Sequence, residues 1–418
     1  MLRTGRTAMF IAVTVMLGLL LTTGQPAAAE ASGTWGATRS YPVGVADQSC
    51  VTVGAFIYCI GGFVGDTYTA NGTQSTAEAY YAQPSLSGGI SSWANTTSYP
   101  TMVNTESCAA SEGYVYCVGG YSSRITDRVY YAAVSSGGIS RWNSSTSYPA
   151  AVFGQSCATW DSYIYCVGGY SSDGLPTDAV YFAGTSASGV SAWTRTTDYP
   201  TNVTSQSCVL SEGYLYCIGG IDDQNPPITD AVYYGALSAN GISSWTETTS
   251  YPMGIDIQSC VLSGQDLYCI GGAPEFAATN AVYRSTVLAQ GGLTPWTRLA
   301  DFPTTVAEQS CVAIQGYIYC IAGAPSAFEE LDHVYYAATS ALNLTAEHPA
   351  SAGTGMTSDT NTTNEVGPGS ASAATTMSMA AGNTSLSSTF LVVLSANVAL
   401  MAVLCWMSTT TGRGDRAY

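Results

Sequence analysis

Short apolar runs separated by polar, glycine-containing turns recur along this chain. In one representative unit, residues 207–210 and 214–218 are apolar runs joined by Glu212-Gly213, which predicts two strands and a tight turn. Residues 230–234 predict a third strand, and a fourth begins near Trp245. The pattern therefore predicts four short antiparallel strands in the unit.

This unit recurs six times, with a period near fifty residues. Each copy has a tryptophan, a Tyr-Pro pair beginning six residues later, a cysteine eight residues after the proline, and a second cysteine nine residues further, followed by Gly-Gly. Fixed spacing of this kind indicates one supersecondary unit stacked repeatedly. The tryptophans of the copies are Trp35, Trp93, Trp142, Trp193, Trp245 and Trp296.

The paired cysteines predict a disulfide inside each unit. Because the hairpin turn has two residues, Cys208 falls opposite Cys217 in a non-hydrogen-bonded pair, where a cross-strand disulfide fits. A metal site is the alternative, but the pair supplies two sulfurs and the sequence offers no third ligand nearby. The predicted disulfide cysteines are Cys50 and Cys59, Cys108 and Cys117, Cys157 and Cys166, Cys208 and Cys217, Cys260 and Cys269, and Cys311 and Cys320.

The apolar strand, Gly-Gly, tyrosine on the third strand and tryptophan opening the fourth resemble the kelch repeat. The resemblance covers residues 35–342, and it implies an all-β, six-bladed propeller of four-stranded antiparallel blades. Ala322, Phe302 and Arg284 depart from the repeat, and the hairpin disulfide is an addition to it. A linear solenoid is the alternative architecture, but it needs capping repeats that the sequence does not show.

The two ends of the repeat region predict how the propeller closes. Residues 35–42 form a fourth strand without the preceding three, and residues 333–336 form a third strand without a fourth. Pairing these segments completes a sixth blade and removes free sheet edges.

Composition places the protein outside the cell and excludes a nucleic-acid reader. The net charge is −17 and Lys plus Arg number only 11, whereas phosphate binding needs clustered positive charge. Residues 1–29 resemble a secretory signal peptide, with Arg3, Arg6 and a small-residue cleavage site; an uncleaved anchor is the alternative. Twelve of the 13 cysteines fall in the regular pairs, which favours an oxidising compartment.

The rest of the chain predicts a tethered organisation at the plasma membrane. Residues 33–345 form the propeller, residues 346–389 a Ser/Thr/Ala/Gly-rich disordered stalk, and residues 408–418 a short polar tail. Residues 390–407 are either a transmembrane helix, favoured by the arginines beyond it, or the hydrophobic part of a GPI signal. The predicted N-glycosylation sites are Asn71, Asn95, Asn143, Asn202, Asn343, Asn361 and Asn383.

One loop per unit varies in length and therefore predicts the binding face. The gap from Gly-Gly to the first tyrosine of the third strand is ten residues at Gly120 and eighteen at Gly62. In an up-and-down blade these loops share a face with the connections between blades, and their aromatic and acidic residues suit a sugar or a protein. The predicted ligand-binding residues, the aromatic ones taken as exposed, are Phe63, Tyr68, Tyr121, Tyr170, Asp222, Asp223, Phe276, Phe328 and Glu329.

Two rings of polar residues have structural explanations as well as functional ones. A ring formed by Gln48, Glu106, Gln155, Gln206, Gln258 and Gln309 is expected to line the channel mouth and satisfy backbone groups rather than bind a ligand. A second ring comprises Asp127, Asp178, Asp230, Asn280 and Asp332. Its members are expected to cap the loop, with a calcium ring as the alternative.

The sequence favours a binding or adhesion module for carbohydrate or extracellular protein, with no cofactor. Some kelch-type propellers resemble galactose oxidase, whose copper site uses histidines, tyrosines and a Tyr–Cys crosslink. This chain has only two histidines, His333 and His348, and the propeller cysteines are all predicted to be paired, so that copper site is not expected. A sialidase needs clustered arginines, which are absent. A carbohydrate-active epimerase or lyase built on acids and tyrosines stays open, as does a structural cell-surface glycoprotein.

Overall fold

The computed structural model describes residues 34–346, except 66–74, 225–226 and 327–328. The predicted signal peptide, stalk, hydrophobic segment and polar tail lie outside the described residues. Within those described ranges, no helix is long and apolar enough to cross a membrane. Also outside them are Tyr68, Asn71, Phe328, Asn361 and Asn383.

The described chain forms six blades of antiparallel strands, as the sequence predicts. Blade 1 comprises Ser49–Val53, Phe56–Ile60, Ala79–Ala82 and Ala94–Asn95. Blade 2 comprises Ser107–Ser111, Tyr114–Val118, Val129–Ser135 and Gly138–Ser144; blade 3 comprises Ser156–Trp160, Tyr163–Val167, Val180–Ser186, Gly189–Val190 and Thr194–Arg195. Blade 4 comprises Ser207–Ser211, Tyr214–Ile218, Val232–Ser238 and Gly241–Glu247; blade 5 comprises Ser259–Ser263, Asp266–Ile270, Val282–Thr286 and Thr297–Arg298.

Blade 6 contains both ends of the repeat region. Its strands are Ser310–Ile314, Tyr317–Ile321, Val334–Ala338 and the N-terminal Gly36–Ala37. Gly36 lies opposite Tyr336, and Ala37 lies opposite Tyr335, in an antiparallel pair. The predicted closure is therefore confirmed, and it leaves no blade with an unpaired third strand.

Each blade carries one disulfide between its first two strands. Cys208 and Cys217 are direct partners in the ladder, with Cα atoms 4.1 Å apart. The other five pairs repeat this arrangement, with Cα separations of 4.0–4.1 Å. The six predicted pairings are confirmed, and each bridge stabilises its own hairpin rather than the contact between blades.

Aromatic side chains join neighbouring blades at the outer edge. The ring of Tyr99, which follows blade 1, packs edge-on against Trp142 of blade 2 at a centroid distance of 5.0 Å. The indole Nε1 of Trp142 donates to the backbone oxygen of Thr97 at 3.1 Å. Phe302 packs in the same way on Trp35, which explains why the sixth copy tolerates phenylalanine. The constant spacing of tryptophan and Tyr-Pro thus follows from packing between blades.

Two closed rings of hydrogen bonds join the blades around the central axis. In the first ring of hydrogen bonds, one residue of each blade donates its backbone N–H to the backbone carbonyl of the equivalent residue in the preceding blade, at 2.8–3.2 Å. This residue directly precedes the Gln or Glu predicted to line the channel mouth. These six residues are Asp47, Thr105, Gly154, Ser205, Ile257 and Glu308, all with positive φ. In the second ring, each first-strand cysteine N–H donates to a serine Oγ of the preceding blade, as Cys208 does to Ser156 at 3.0 Å.

A short helix, Thr339–Ala346, follows the last strand and was not predicted from the sequence. Leu342 at its centre is buried with Trp35 and Tyr268. In blades 2 and 3, the corresponding tyrosines Tyr116 and Tyr165 donate to carbonyls in the outer hairpin of the next blade, at 2.8 and 2.6 Å. Blade 6 has no such hairpin because its fourth strand comes from the N-terminus, and the helix occupies that place.

Candidate functional site

The variable loops and the connections between blades share one end of the propeller, as expected. Each loop begins by pairing with the connection that enters its own blade: Ala46 bridges Phe63, and Asn104 bridges Tyr121. We call this surface the variable-loop face. Its described segments are 43–48, 61–65, 75–78, 100–106, 119–128, 150–155, 168–178, 201–206, 219–224, 227–230, 253–258, 271–280, 304–309, 322–326 and 329–333.

An axial cavity of about 150 Å³ opens at the centre of this face. It is lined by Phe153, by the six positive-φ residues that form the first ring of hydrogen bonds, and by the Gln or Glu that comes directly after each of them in the sequence. Five glutamines donate from Nε2 to a carbonyl at the end of the second strand of the preceding blade; Gln206 does so to Val167 at 2.8 Å. The expectation that these glutamines satisfy backbone groups is confirmed.

Glu106 takes the place of glutamine in blade 2. Its Oε1 lies 2.6 Å from the point that a Cβ would occupy on Gly61, and Gln155 Nε2 lies 2.8 Å from the same point on Gly119. The carboxyl group therefore stands where the other blades have a donor. Glu106 is 5% exposed, and burial raises the pKa of its carboxyl to about 8. An ionised Glu106 has no hydrogen to donate, unlike the amide groups of the glutamines.

Two more carboxylates, Asp47 and Glu308, line the cavity with Glu106, and Asp256 interacts with Glu308 without lining the cavity. Burial, then repulsion by Glu308 and Glu106, holds the pKa of Asp47 well above its usual range. Asp256 is fully buried, and burial followed by repulsion from Glu308 raises its pKa to about 7. Glu308, Asp47 and Glu106, from blades 6, 1 and 2, thus form an acidic arc on the cavity wall. A site that raises carboxylate pKa values in this way favours the binding of a positive charge.

Aromatic side chains lie next to this arc, in blades 2 and 3. Phe153 is buried at the cavity wall, with Tyr170 at a centroid distance of 5.4 Å and Tyr121 at 6.4 Å. The structure therefore brings two of the predicted ligand-binding residues together. Sequence reasoning missed Phe153, because the corresponding residues of other blades include Ala46 and Thr204 and form no aromatic pattern.

The other predicted ligand-binding residues are spread over the face. Phe63 is only 1% exposed, so the expectation of an exposed aromatic there is wrong; its bridge with Ala46 turns the ring inward. Asp222 is 8% exposed, and its Oδ1 accepts from the backbone N–H of Gln224. Three more lie on the loops of blades 4 to 6: Asp223, Phe276 and Glu329.

Threonine caps the variable loops, in place of the Asp and Asn residues that were expected to do so. Threonine, one position earlier, accepts the hydrogen bond: Thr177 Oγ1 takes the N–H of Ala179, and Thr229 Oγ1 takes that of Ala231. In both cases the threonine hydroxyl oxygen accepts from the backbone N–H of the residue two positions later. Across the described ranges, no group of three or more His, Cys, Asp or Glu residues is placed to hold a metal ion, so the calcium alternative has no support.

Acidic residues are concentrated on the variable-loop face. The described variable-loop face carries fifteen acidic residues and two arginines, whereas the rest of the described propeller carries seven acidic residues and five arginines. The acidic residues of the variable-loop face are Asp47, Glu78, Glu106, Asp127, Asp173, Asp178, Asp222, Asp223, Asp230, Asp256, Glu275, Glu308, Glu329, Glu330 and Asp332. The face therefore creates a strongly negative potential.

Comparison with known proteins identifies the fold. A solved structure titled "Structure of YjhT" is similar, with a TM-score of 0.56 and 12% sequence identity, over 71% of this chain and 95% of that one. This likeness shows the fold alone. No family model matches the sequence, and no curated protein matches it significantly. The kelch resemblance therefore continues to depend on the repeat itself.

Proposed function

We propose that this protein is an extracellular binding module, tethered to the membrane by its C-terminal segment, that takes carbohydrate or protein ligands on the variable-loop face. The observation that carries the proposal is the combination found there. Loops of unequal length on a closed frame surround an axial cavity that is lined by acids and by Phe153, and Tyr121 and Tyr170 pack against Phe153. Aromatic rings beside hydrogen-bonding acids suit the apolar and polar surfaces of a sugar or a protein side chain.

The frame also supports an extracellular role. Six disulfides indicate an oxidising environment, and the two rings of hydrogen bonds hold the loop bases in place. A rigid base limits the entropy lost when loops bind a ligand.

The test is capture of the secreted protein on glycan and extracellular-protein arrays. We expect selective binding that Tyr121→Ala and Tyr170→Ala reduce at least about 10-fold, because each removes a contact surface worth more than about 1.4 kcal/mol. Tyr114→Ala, on a second strand near the opposite end, serves as the matched control. Absence of capture on both arrays would contradict the proposal.

A second candidate function is a carbohydrate-active enzyme of the epimerase or lyase type. The observation in its favour is that the pKa values of Glu106 and Asp256 are raised to about 8 and about 7, which suits proton transfer near neutral pH. The cavity of about 150 Å³ is smaller than the roughly 300 Å³ at which ligand pockets commonly begin. Turnover of a sugar by the wild-type protein, lost in Glu106→Gln, would favour the enzyme over the binding module.

A further inference from the structure

We propose that the variable-loop face binds a basic polypeptide segment and that one arginine or lysine side chain of this segment enters the axial cavity. The inference depends on the proposed binding function and names its partner class. Its first support is charge complementarity, because fifteen of the described acidic residues lie on this face. The positive charges on the described face are two arginines, and the whole chain contains no lysine.

The cavity itself provides an independent second support. Glu106 lines it, is 95% buried, and finds no hydrogen-bond partner for either carboxylate oxygen among the described residues. Asp47 Oδ2 is also buried without a partner. Buried acceptors without donors are costly, and a guanidinium or ammonium group supplies several donors together with the opposite charge.

Several donors of the lining are already used. Gln155 and Gln206 each direct Nε2 to a backbone carbonyl, and the backbone N–H groups of Asp47 and Glu308 belong to the closed ring. The lining therefore presents mainly acceptor atoms to a ligand. This selects a cationic donor over an anion or a neutral acceptor.

The aromatic side of the cavity fits the same ligand. Phe153 lines the cavity beside the acidic arc, and Tyr170 packs against it. An aliphatic stem of arginine or lysine can pack on these rings while its charged end meets the acids. A bare metal ion would use the acids but gain nothing from the aromatic wall.

The experiment measures binding of a fluorescein-labelled nona-arginine peptide to the full-length protein by anisotropy, with nona-citrulline as the uncharged probe. We expect binding of the arginine peptide alone, weakening as salt is raised. The double variant Asp47→Asn/Glu308→Gln should bind at least about 10-fold more weakly. The matched control Glu112→Gln/Glu212→Gln removes two charges from hairpin turns on the opposite face and should change binding less than about 2-fold.

A second variant keeps the test informative if the double variant does not fold. Ser205→Arg places a tethered guanidinium at the cavity wall and should abolish peptide binding while thermal unfolding stays cooperative. Equal loss in the control pair, or complete competition by calcium chloride, would overturn the proposal. Array partners that lack basic segments would also overturn it, yet would leave the proposed binding function standing.

Discussion

Tyr268 of blade 5 donates from Oη to Oδ1 of Asn343 on the C-terminal helix, at 2.7 Å. Asn343 Nδ2 in turn donates to Asp266 Oδ2 at 3.2 Å. In blades 2 and 3, the equivalent tyrosine bond goes to a hairpin of the next blade. The helix thus replaces the hairpin that blade 6 lacks, and Asn343 joins it to blade 5.

Substitution of Asn343 should therefore destabilise the closed propeller. We expect Asn343→Ala to lower the free energy of unfolding by about 1–2 kcal/mol, because it removes two part-buried hydrogen bonds. Denaturant unfolding measures this. Asn343 also lies in a predicted glycosylation motif, so Thr345→Ala is the control: it abolishes the motif and keeps the asparagine. Equal destabilisation by both variants would attribute the effect to a glycan instead.

Glu106 should make stability depend on pH. Its pKa is about 8 in the folded protein against an ordinary value of 4.5, so the folded state holds the proton more tightly. Stability is full below pH 4.5 and falls as pH rises towards 8, where the cost reaches at most about 5 kcal/mol. Glu106→Gln should remove this loss, so its advantage over wild type should be larger at pH 8 than at pH 5.

The reciprocal substitution Gln155→Glu is the matched test. It places the same carboxyl in an equivalent position of blade 3 and should introduce a second loss of stability with the same sign. Chemical unfolding followed across pH measures both variants. A pH profile unchanged by either one would contradict the assignment of Glu106.

Removing a single disulfide should weaken the propeller without opening it. Cys208→Ala/Cys217→Ala should lower the free energy of unfolding by about 2–3 kcal/mol, the chain-entropy value for a loop of this length. Neighbouring blades keep their own bridges and the contacts at the axis. A cooperative unfolding transition is therefore expected, and an array of separate transitions would show that the bridge also controls assembly between blades.

The second glycine of the Gly-Gly pair should resist substitution. Gly169 has a φ of +105°, and a Cβ there would lie 2.4 Å from Val152 Cγ2 in the connection that enters blade 3. We expect Gly169→Ala to cost at least about 3 kcal/mol, or to prevent folding. Gly174, with a φ of +84° and nothing within 4 Å of its Cβ position, is the control and should cost about 1 kcal/mol. Thermal unfolding distinguishes the two.

Fixed spacing made most of the fold predictable. The Cys208–Cys217 bridge follows from a two-residue turn, and closure by Gly36–Ala37 follows from an incomplete copy at each end. Both depend on local geometry repeated along the chain. The helix at Thr339–Ala346 was not predictable in this way, because it compensates for a hairpin missing from one blade only.

The sequence alone determined the number of blades, the strand order and the six bridges, since period and spacing decide which residues are neighbours in each hairpin. Only the tertiary structure decided which side chains meet at the axis. Glu106, Asp47 and Phe153 come from different blades, so their burial together and the raised pKa values of the two carboxyl groups depend on ring closure. Contacts between distant segments have no counterpart in a repeat pattern read along one chain.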